Sequence, residues 1–153
     1  MLIRQTALSD LLGIQNLYAQ LNPDDPAPLE GQDRVVLKEI IKSDGLFLYV
    51  GTLGAGIVST CYLNIIPNLS RNASAYGIIE NVVTDQHYRK RGYGKLMLNH
   101  TLAHAWSSGC YKVMLQTGSK RESTHEFYKS CGFSADEKFA LVARVPGEVP
   151  SSS

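Results

Sequence analysis

A basic turn with two glycines lies past the middle of the chain and carries its clearest chemistry. It reads Tyr88-Arg89-Lys90-Arg91-Gly92-Tyr93-Gly94-Lys95. Glycine has no β-carbon, so a ligand can approach the main chain closely at Gly92 and Gly94. A helix that begins in such a turn points its free N–H groups and the positive end of its dipole at an anion. The residue types therefore indicate a phosphate site, and a solvated basic loop is the alternative.

Two common phosphate-binding loops do not match this turn. The dinucleotide-binding pattern needs a third glycine, which is missing at the required offset. The nucleoside-triphosphate loop needs a Gly-x-x-x-x-Gly spacer before Lys95 and a Ser or Thr after it, and neither is present. A second glycine-rich run, Gly51 to Gly56, leads into a strand pattern, so it predicts a hairpin turn and not an anion site.

The stretches on either side of the basic turn predict a strand and a helix. Residues 78–84 are rich in β-branched side chains, as is typical of a strand. After the turn, Leu98, Leu102 and Ala105 recur at helical spacing, with Trp106 predicted on the same face. The turn is thus placed between the end of a strand and the start of an amphipathic helix.

The rest of the chain predicts an α/β fold with a mixed sheet and helices on both faces. The predicted order is β-α-α-β-β-β-α-β-α-β, from a first strand at Leu2–Gln5 to a last strand at Phe139–Val145. Two amphipathic helices follow the first strand. Their apolar stripes are Ile14, Leu17, Tyr18 and Leu21 in the first, and Val36, Leu37, Ile40 and Ile41 in the second.

Composition indicates one soluble, cytoplasmic domain. A chain of 153 residues with a formal charge of +1 offers no broad basic surface for nucleic acid or for an anionic membrane. Three cysteines are an odd number without metal-ligand spacing, which favours reduced thiols. No apolar run is long enough to span a bilayer. His100 and His104 lie one helical turn apart, but without a third ligand we expect a packed or solvent-facing pair and no metal.

The motif Arg89-x-x-Gly92-x-Gly94 after a strand resembles the acetyl-coenzyme A pyrophosphate loop of the GCN5-related N-acetyltransferase (GNAT) family. The stretches Gly109 to Val113 and Phe127 to Phe133 are similar to the next strand, helix and terminal hairpin of that family. The resemblance implies a GNAT-like acyl-CoA N-acyltransferase fold over residues 1–145, followed by a flexible tail at 146–153.

The resemblance also implies how acetyl-CoA is bound. The central strand holds the pantetheine arm through its main chain, and a bulge near Val82-Val83 directs an N–H at the thioester carbonyl. The basic turn holds the diphosphate. The implied coenzyme-binding residues are Val82, Val83, Thr84, Arg89, Lys90, Arg91, Gly92, Tyr93, Gly94, Lys95 and Arg121.

Two residues are candidates for proton transfer. Glu80 precedes the acyl-binding segment on the same strand and is the candidate general base, acting directly or through water; related enzymes place a Glu there. Strand alternation alone favours an ordinary polar residue on the solvent face. Tyr128 resembles the family tyrosine that donates a proton to the departing thiolate. Its alternative is a core aromatic paired with Phe127.

The acceptor stays open at this point. Lys120-Arg121 followed by His125 and Phe127-Tyr128 resembles the aminoalkylphosphonate acetyltransferase branch. The stretch departs from the commonest family pattern, which carries a coenzyme-binding Asn near Arg121. The stretch from Gly109 to Lys112 resembles the glucosamine-phosphate branch. However, the acidic residues of that branch after this strand are replaced by Gln116, Thr117 and Gly118.

The sequence therefore predicts an acetyl-CoA-dependent N-acetyltransferase that transfers acetyl directly to a primary amine of a small molecule in a ternary complex. The alternative is a non-catalytic module that binds acyl-CoA as a sensor or partner domain. By analogy with similar proteins, the last strand could pair with a second copy in a homodimer.

Overall fold

The computed structural model describes residues 1–146, which form two compact units. The first unit is Met1–Leu115 and the second begins at Gln116. Except for Pro146, the tail predicted at 146–153 lies outside the described residues. None of the described helices is both long enough and apolar enough to cross a bilayer.

The first unit is a five-stranded mixed sheet with helices. Its strands are β1 (Leu2–Gln5), β2 (Leu46–Leu53), β3 (Gly56–Ile66), β4 (Tyr76–Thr84) and β5 (Val113–Leu115). Its helices are α1 (Leu11–Leu21), α2 (Gln32–Lys42), the short turn α3 (Ser70–Ala73) and α4 (Tyr93–Ser107), with 3-10 turns at Leu8–Asp10 and Gln86–Tyr88. The strands lie in the order β1-β2-β3-β4-β5, antiparallel up to β4 and parallel between β4 and β5.

Helices cover both faces of the sheet, as predicted. On one face, Ile14 of α1 and Leu37 of α2 pack with Leu48 and Val50 of β2. Tyr49 lies between those two strand residues, so its side chain points to the opposite face, where its ring packs on His100 of α4. The buried side chains of α4 are Met97, Leu98, Thr101 and Ala105.

The buried face of α4 differs from the predicted one. Trp106, predicted to lie on it, is 50% exposed, whereas Met97 and Thr101 are fully buried. The spacing of Leu98 and Ala105 found the helix correctly but placed its apolar stripe too far towards Trp106. Thr101 can be buried because its hydroxyl donates to the Met97 carbonyl at 2.9 Å, which satisfies its hydrogen bond inside the helix.

The two histidines of α4 contact aromatic rings of β2, with His104 partly buried and His100 exposed. The Tyr49 hydroxyl and Nδ1 of His104 share a hydrogen bond, and Phe47 packs edge-on against the His104 ring at 4.3 Å. Burial, and secondarily the nearby charge of His100, lowers the pKa of His104. Within residues 1–146, no group of three or more His, Cys, Asp or Glu side chains is arranged to hold a metal ion.

The start of α1 is held by an ion pair. Asp10, which immediately precedes α1, accepts 2.6 and 2.9 Å hydrogen bonds from Arg4 and a 2.7 Å bond from the Ala7 amide. The Arg4 guanidinium is the main reason that the pKa of Asp10 lies below its usual value. This contact ties the first helix to the edge strand β1.

The second unit contains α5 (Glu122–Ser130), which ends at a turn where Gly132 has φ +93°. Cys131 is buried beside that turn. The last predicted strand, Phe139–Val145, is wrong: these residues have no strand structure, and Phe139 and Leu141 are 99% and 94% exposed. Their apolar and partly β-branched side chains favour a strand, but a strand also needs a neighbouring strand with which to hydrogen-bond.

Candidate functional site

The basic turn joins β4 to α4 in the way the sequence predicts. After Thr84 the chain makes the 3-10 turn Gln86–Tyr88, and α4 begins at Tyr93. Lys90 and Gly92 have positive φ values of 60° and 83°. Left-handed residues alternating with ordinary ones curl the backbone so that successive N–H groups face one side, which is a geometry that binds anions.

The first turn of α4 offers its amides to this loop. The Leu96 amide already bonds the Gly92 carbonyl at 3.0 Å, whereas the N–H groups of the first three helical residues precede any intrahelical acceptor. Four residues in or beside this turn have exposed cationic side chains. They are Arg89, Lys90, Arg91 and Lys95. Backbone donors, the helix dipole and these cations together favour a diphosphate.

A β-bulge interrupts the pairing of β3 with β4 shortly before this loop. Glu80 pairs with Tyr62 and Val83 pairs with Thr60, so Cys61 alone lies opposite both Asn81 and Val82. Asn81 has φ +52°, in the left-handed region. That conformation costs an ordinary residue roughly 1–2 kcal/mol, and Asn tolerates it better than most. The predicted bulge near Val82-Val83 is thus confirmed, centred one residue earlier.

Glu80 is the residue just before the bulge, and its side chain is exposed. Directly paired residues of neighbouring strands point to the same face, and its partner Tyr62 packs against the core beneath α1 and α2. Glu80 therefore lies on the α1–α2 face of the sheet. Its exposure fits a base that acts through water and fits equally an ordinary solvent-facing carboxylate.

Val83 and Thr84 continue the strand between the bulge and the loop. The Val83 side chain is buried, and its carbonyl accepts a 3.1 Å bond from the Ser59 hydroxyl. The Thr84 carbonyl accepts a 3.0 Å bond from Nε of Arg89. Only main-chain groups of Val83 can serve a ligand, and Arg89 is held back towards the end of the strand.

The remaining predicted site residues lie in the second unit. Tyr128 is half-buried on α5, with its ring 5.2 Å from that of Phe127 and 6.1 Å from that of Phe133. Arg121 immediately precedes α5 and is exposed. A ring nitrogen of His125 lies 2.8 Å from the Ser119 carbonyl, which orders the loop before the helix. The roles given to Tyr128 and Arg121 stay predictions.

Comparison with known proteins decides the family. The model of the acetyltransferase (GNAT) family matches residues 14–133 of this chain. The chain belongs to the GNAT family.

Similar proteins agree with this assignment. A glucosamine 6-phosphate N-acetyltransferase of Trypanosoma brucei brucei is 39% identical over 132 residues, covering 85% of this chain and 86% of the relative. A solved protein of Agrobacterium tumefaciens str. C58 has 38% identity and a TM-score of 0.89, covering 94% of this chain and all of that one. The glucosamine-6-phosphate N-acetyltransferase of Arabidopsis thaliana follows at 27% identity and a TM-score of 0.80, covering 95% and 97%.

As a GNAT enzyme, the protein transfers acetyl from acetyl-CoA, its cosubstrate, to an amine. These comparisons give no support to the alternative of a non-catalytic acyl-CoA sensor. The GNAT-like mixed α/β fold expected from the motifs is confirmed by the sheet and by its structural neighbours.

Two features of this GNAT site were not found from residue patterns. Tyr18, predicted only as part of the apolar stripe of α1, has its hydroxyl beside Asn81 and Thr60, and burial raises its pKa to about 12. The left-handed conformation of Asn81 was not predicted either, although Asn is one of the few residues that enter that region readily. An Asn inside an otherwise β-branched strand was the available signal for the bulge.

Replacing Gly92 by Ala tests the loop of this GNAT enzyme. A β-carbon at Gly92 would meet no atom within 4 Å, so the cost comes from its φ of +83° and not from crowding. We expect the Kd for coenzyme A to rise about tenfold, since a left-handed Ala costs on the order of 1 kcal/mol or more. Isothermal titration with coenzyme A measures this.

The matched control is Gly54→Ala. Gly54, in the β2–β3 hairpin, has φ +57° and equally open surroundings. The Gly54→Ala variant should lose a similar free energy of unfolding and keep the wild-type Kd for coenzyme A. Equal affinities for the two variants would contradict the assignment of the loop.

Proposed function

We propose that this enzyme acetylates the primary amine of a phosphorylated small molecule, with glucosamine 6-phosphate as the first candidate. The support is its 39% identity, over 85% of the chain, to a relative that acts on glucosamine 6-phosphate. A second relative of the same description, from Oryza sativa subsp. japonica, is 28% identical over 144 residues.

The observation that carries the proposed mechanism is the layout of β4. Glu80, the bulge and the entrance to the basic loop follow one another along one strand. With the diphosphate at the start of α4, a pantetheine arm lying back along β4 brings its thioester to the bulge, next to Glu80. The main chain of Val82 to Thr84 is proposed to bind the arm, and Arg121 to assist at the phosphates.

In the proposed reaction, Glu80 accepts a proton from the substrate ammonium through a water molecule. The free amine nitrogen attacks the thioester carbonyl carbon, whose oxygen is stabilised by a backbone N–H at the bulge. A C–N bond forms, the C–S bond breaks, and Tyr128 donates a proton to the departing thiolate. The second proton of the attacking nitrogen passes through water to the Tyr128 phenolate, which restores the tyrosine. The products are the acetamide and coenzyme A.

Direct transfer is favoured over an acetyl-cysteine intermediate. Cys61 is fully buried, and burial raises its pKa to about 12. Burial also raises the pKa of Cys110. A nucleophilic cysteine needs the opposite, a lowered pKa and access to the substrate. The proposed transfer therefore takes place within the ternary complex of enzyme, acetyl-CoA and amine.

A homodimer is part of the proposal. The segment Phe139–Val145 exposes four large apolar side chains, which suits a surface covered by a second copy of the chain. They are Phe139, Leu141, Val142 and Val145. Light scattering on the purified protein tests this, and a monomer at micromolar concentration would contradict it.

A panel of amines tests the proposed acceptor. Release of coenzyme A should be fastest with glucosamine 6-phosphate, slower with 2-aminoethylphosphonate, and slowest with unphosphorylated glucosamine and spermidine. We expect at least a tenfold lower kcat/KM for glucosamine, because the loss of a charged hydrogen-bonding group commonly costs that much. Equal kcat/KM values for the two glucosamines would overturn the phosphorylated acceptor and leave the acetyltransferase activity intact.

A further inference from the structure

Gln20, in the last turn of α1, bridges to the turn that leads into the basic loop. Its amide nitrogen donates to Oδ2 of Asp85 at 2.9 Å, and its amide oxygen accepts from the Gln86 N–H at 2.9 Å. Both polar atoms of the Gln20 side chain therefore hydrogen-bond to residues 65 and 66 positions later in the sequence. The pattern predicted no such link, because Gln20 falls outside the apolar stripe of α1.

Asp85 is the centre of this turn. Its Oδ1 accepts a 2.8 Å bond from the His87 amide, and its own amide donates to the Val58 carbonyl at 2.9 Å. Its carbonyl accepts from the Tyr88 amide at 2.9 Å. The bond from Gln20 is the main cause that lowers the pKa of the Asp85 carboxyl, and the charges of His87 and Arg89 act in the same direction. The turn is therefore organised around an ionised Asp85 carboxylate, which accepts hydrogen bonds from the Gln20 side chain and the His87 amide.

We propose that Gln20 is a positioning residue for the coenzyme loop and sets the affinity for acetyl-CoA. The inference rests on the proposed role of the segment from Arg89 to Lys95. The turn at Gln86–Tyr88 connects β4 to that segment, so the direction in which the loop leaves the strand depends on how Asp85 and Gln86 are held. Without Gln20, water takes its place and the loop samples other directions.

The same contact links the coenzyme loop to α1. The Tyr18 hydroxyl lies beside Asn81 at the bulge, and Gln20 bonds Asp85 just after β4. Helix α1 therefore contacts this part of the chain at two places, the bulge and the start of the loop. The chain that follows α1 leads to α2 through residues 22–31, whose side chains are exposed. Gln20 thus joins the end of α1 to the start of the coenzyme loop.

Exchanging the donor and the acceptor tests the proposal. Gln20→Glu places a carboxylate against Asp85, and we expect the Kd and KM for the coenzyme to rise about tenfold, with kcat changed less than twofold. Adding Asp85→Asn restores every bond: the new amide at position 85 donates to the new carboxylate at position 20 and still accepts from the His87 amide. The double variant should return to within about threefold of the wild-type affinity.

The matched control is Gln15→Glu on the same helix. The Gln15 amide nitrogen donates to Oδ2 of Asp33 on α2, so the substitution creates the same carboxylate pair away from the loop. It should lower stability and leave coenzyme affinity unchanged. Unaltered affinity in Gln20→Glu, a double variant no better than the single one, or equal losses in the two single variants would each overturn the proposal.

A failure of the proposed function gives a different result. If titration shows that the wild-type protein binds no coenzyme A, the role proposed for the loop is wrong. The same variants are then compared by their free energy of unfolding in urea instead of by their Kd for coenzyme A. The cycle of Gln20→Glu and Asp85→Asn should then still show recovery of stability in the double variant. Absence of that recovery would overturn the link between Gln20 and the turn itself.

Discussion

Replacing Glu80 by Gln is expected to lower kcat about a hundredfold near neutral pH and to leave coenzyme affinity within about twofold. Gln is similar in size and stays polar, but it cannot accept the proton of the substrate ammonium. Glu80 is exposed and precedes the bulge, so its loss should not disturb the core. Steady-state rates with saturating acetyl-CoA measure the effect.

The loss caused by Glu80→Gln should depend on pH. At low pH the amine is protonated and needs the base, whereas near the pKa of the amine itself an increasing share already lacks the proton. The defect should therefore shrink between about pH 6 and pH 9. Glu39→Gln, an exposed position on α2, is the control and should have no effect. Parallel pH–rate profiles for wild type and Glu80→Gln would remove Glu80 from the role of base.

Tyr128→Phe is expected to lower kcat by about tenfold to a hundredfold, with a much smaller change in the Kd for coenzyme A. The ring remains to pack against Phe127 and Phe133, so only the hydroxyl is lost. The defect should decrease as pH rises above about 8.5, where an ordinary thiol leaves as a thiolate without needing a proton. Single-turnover rates at saturating coenzyme measure the chemical step.

Tyr49→Phe is the control for Tyr128→Phe. Tyr49 is buried, and its hydroxyl bonds His104 on the face of the sheet opposite to Glu80. Removing that hydroxyl should lower the free energy of unfolding and leave kcat unchanged. If Tyr128→Phe kept the wild-type kcat, Tyr128 would be a packing residue and the thiolate would be protonated by solvent.

Local patterns predicted the parts of the site that are local. The β-branched run ending at Thr84, the glycines of the turn and the helical spacing from Leu98 onward each concern neighbouring residues, and the structure has the strand, turn and helix in those places. The hairpin at Gly54 was equally local, since its short connection follows from a left-handed glycine. The start of α4 just past Lys90 follows from the same reasoning.

Contacts between residues that are far apart in the sequence could not be predicted from local residue patterns. The contact of Gln20 with Asp85 joins residues far apart in the chain, and nothing in the amphipathic stripe of α1 marks it. The strand predicted at Phe139–Val145 failed for a related reason, because local residue types do not show whether a neighbouring strand is present to pair with it. The bulge at Asn81 was expected only through the family resemblance.

The cysteines of this protein provide a natural probe of local unfolding. Cys61, Cys110 and Cys131 are free thiols, and all three are buried. A disulfide reagent added to the native protein can react with them only when the surrounding structure opens transiently. Cys61 lies directly across from the bulge, so its labelling rate reports how often the sheet separates at the place where catalysis is proposed to occur.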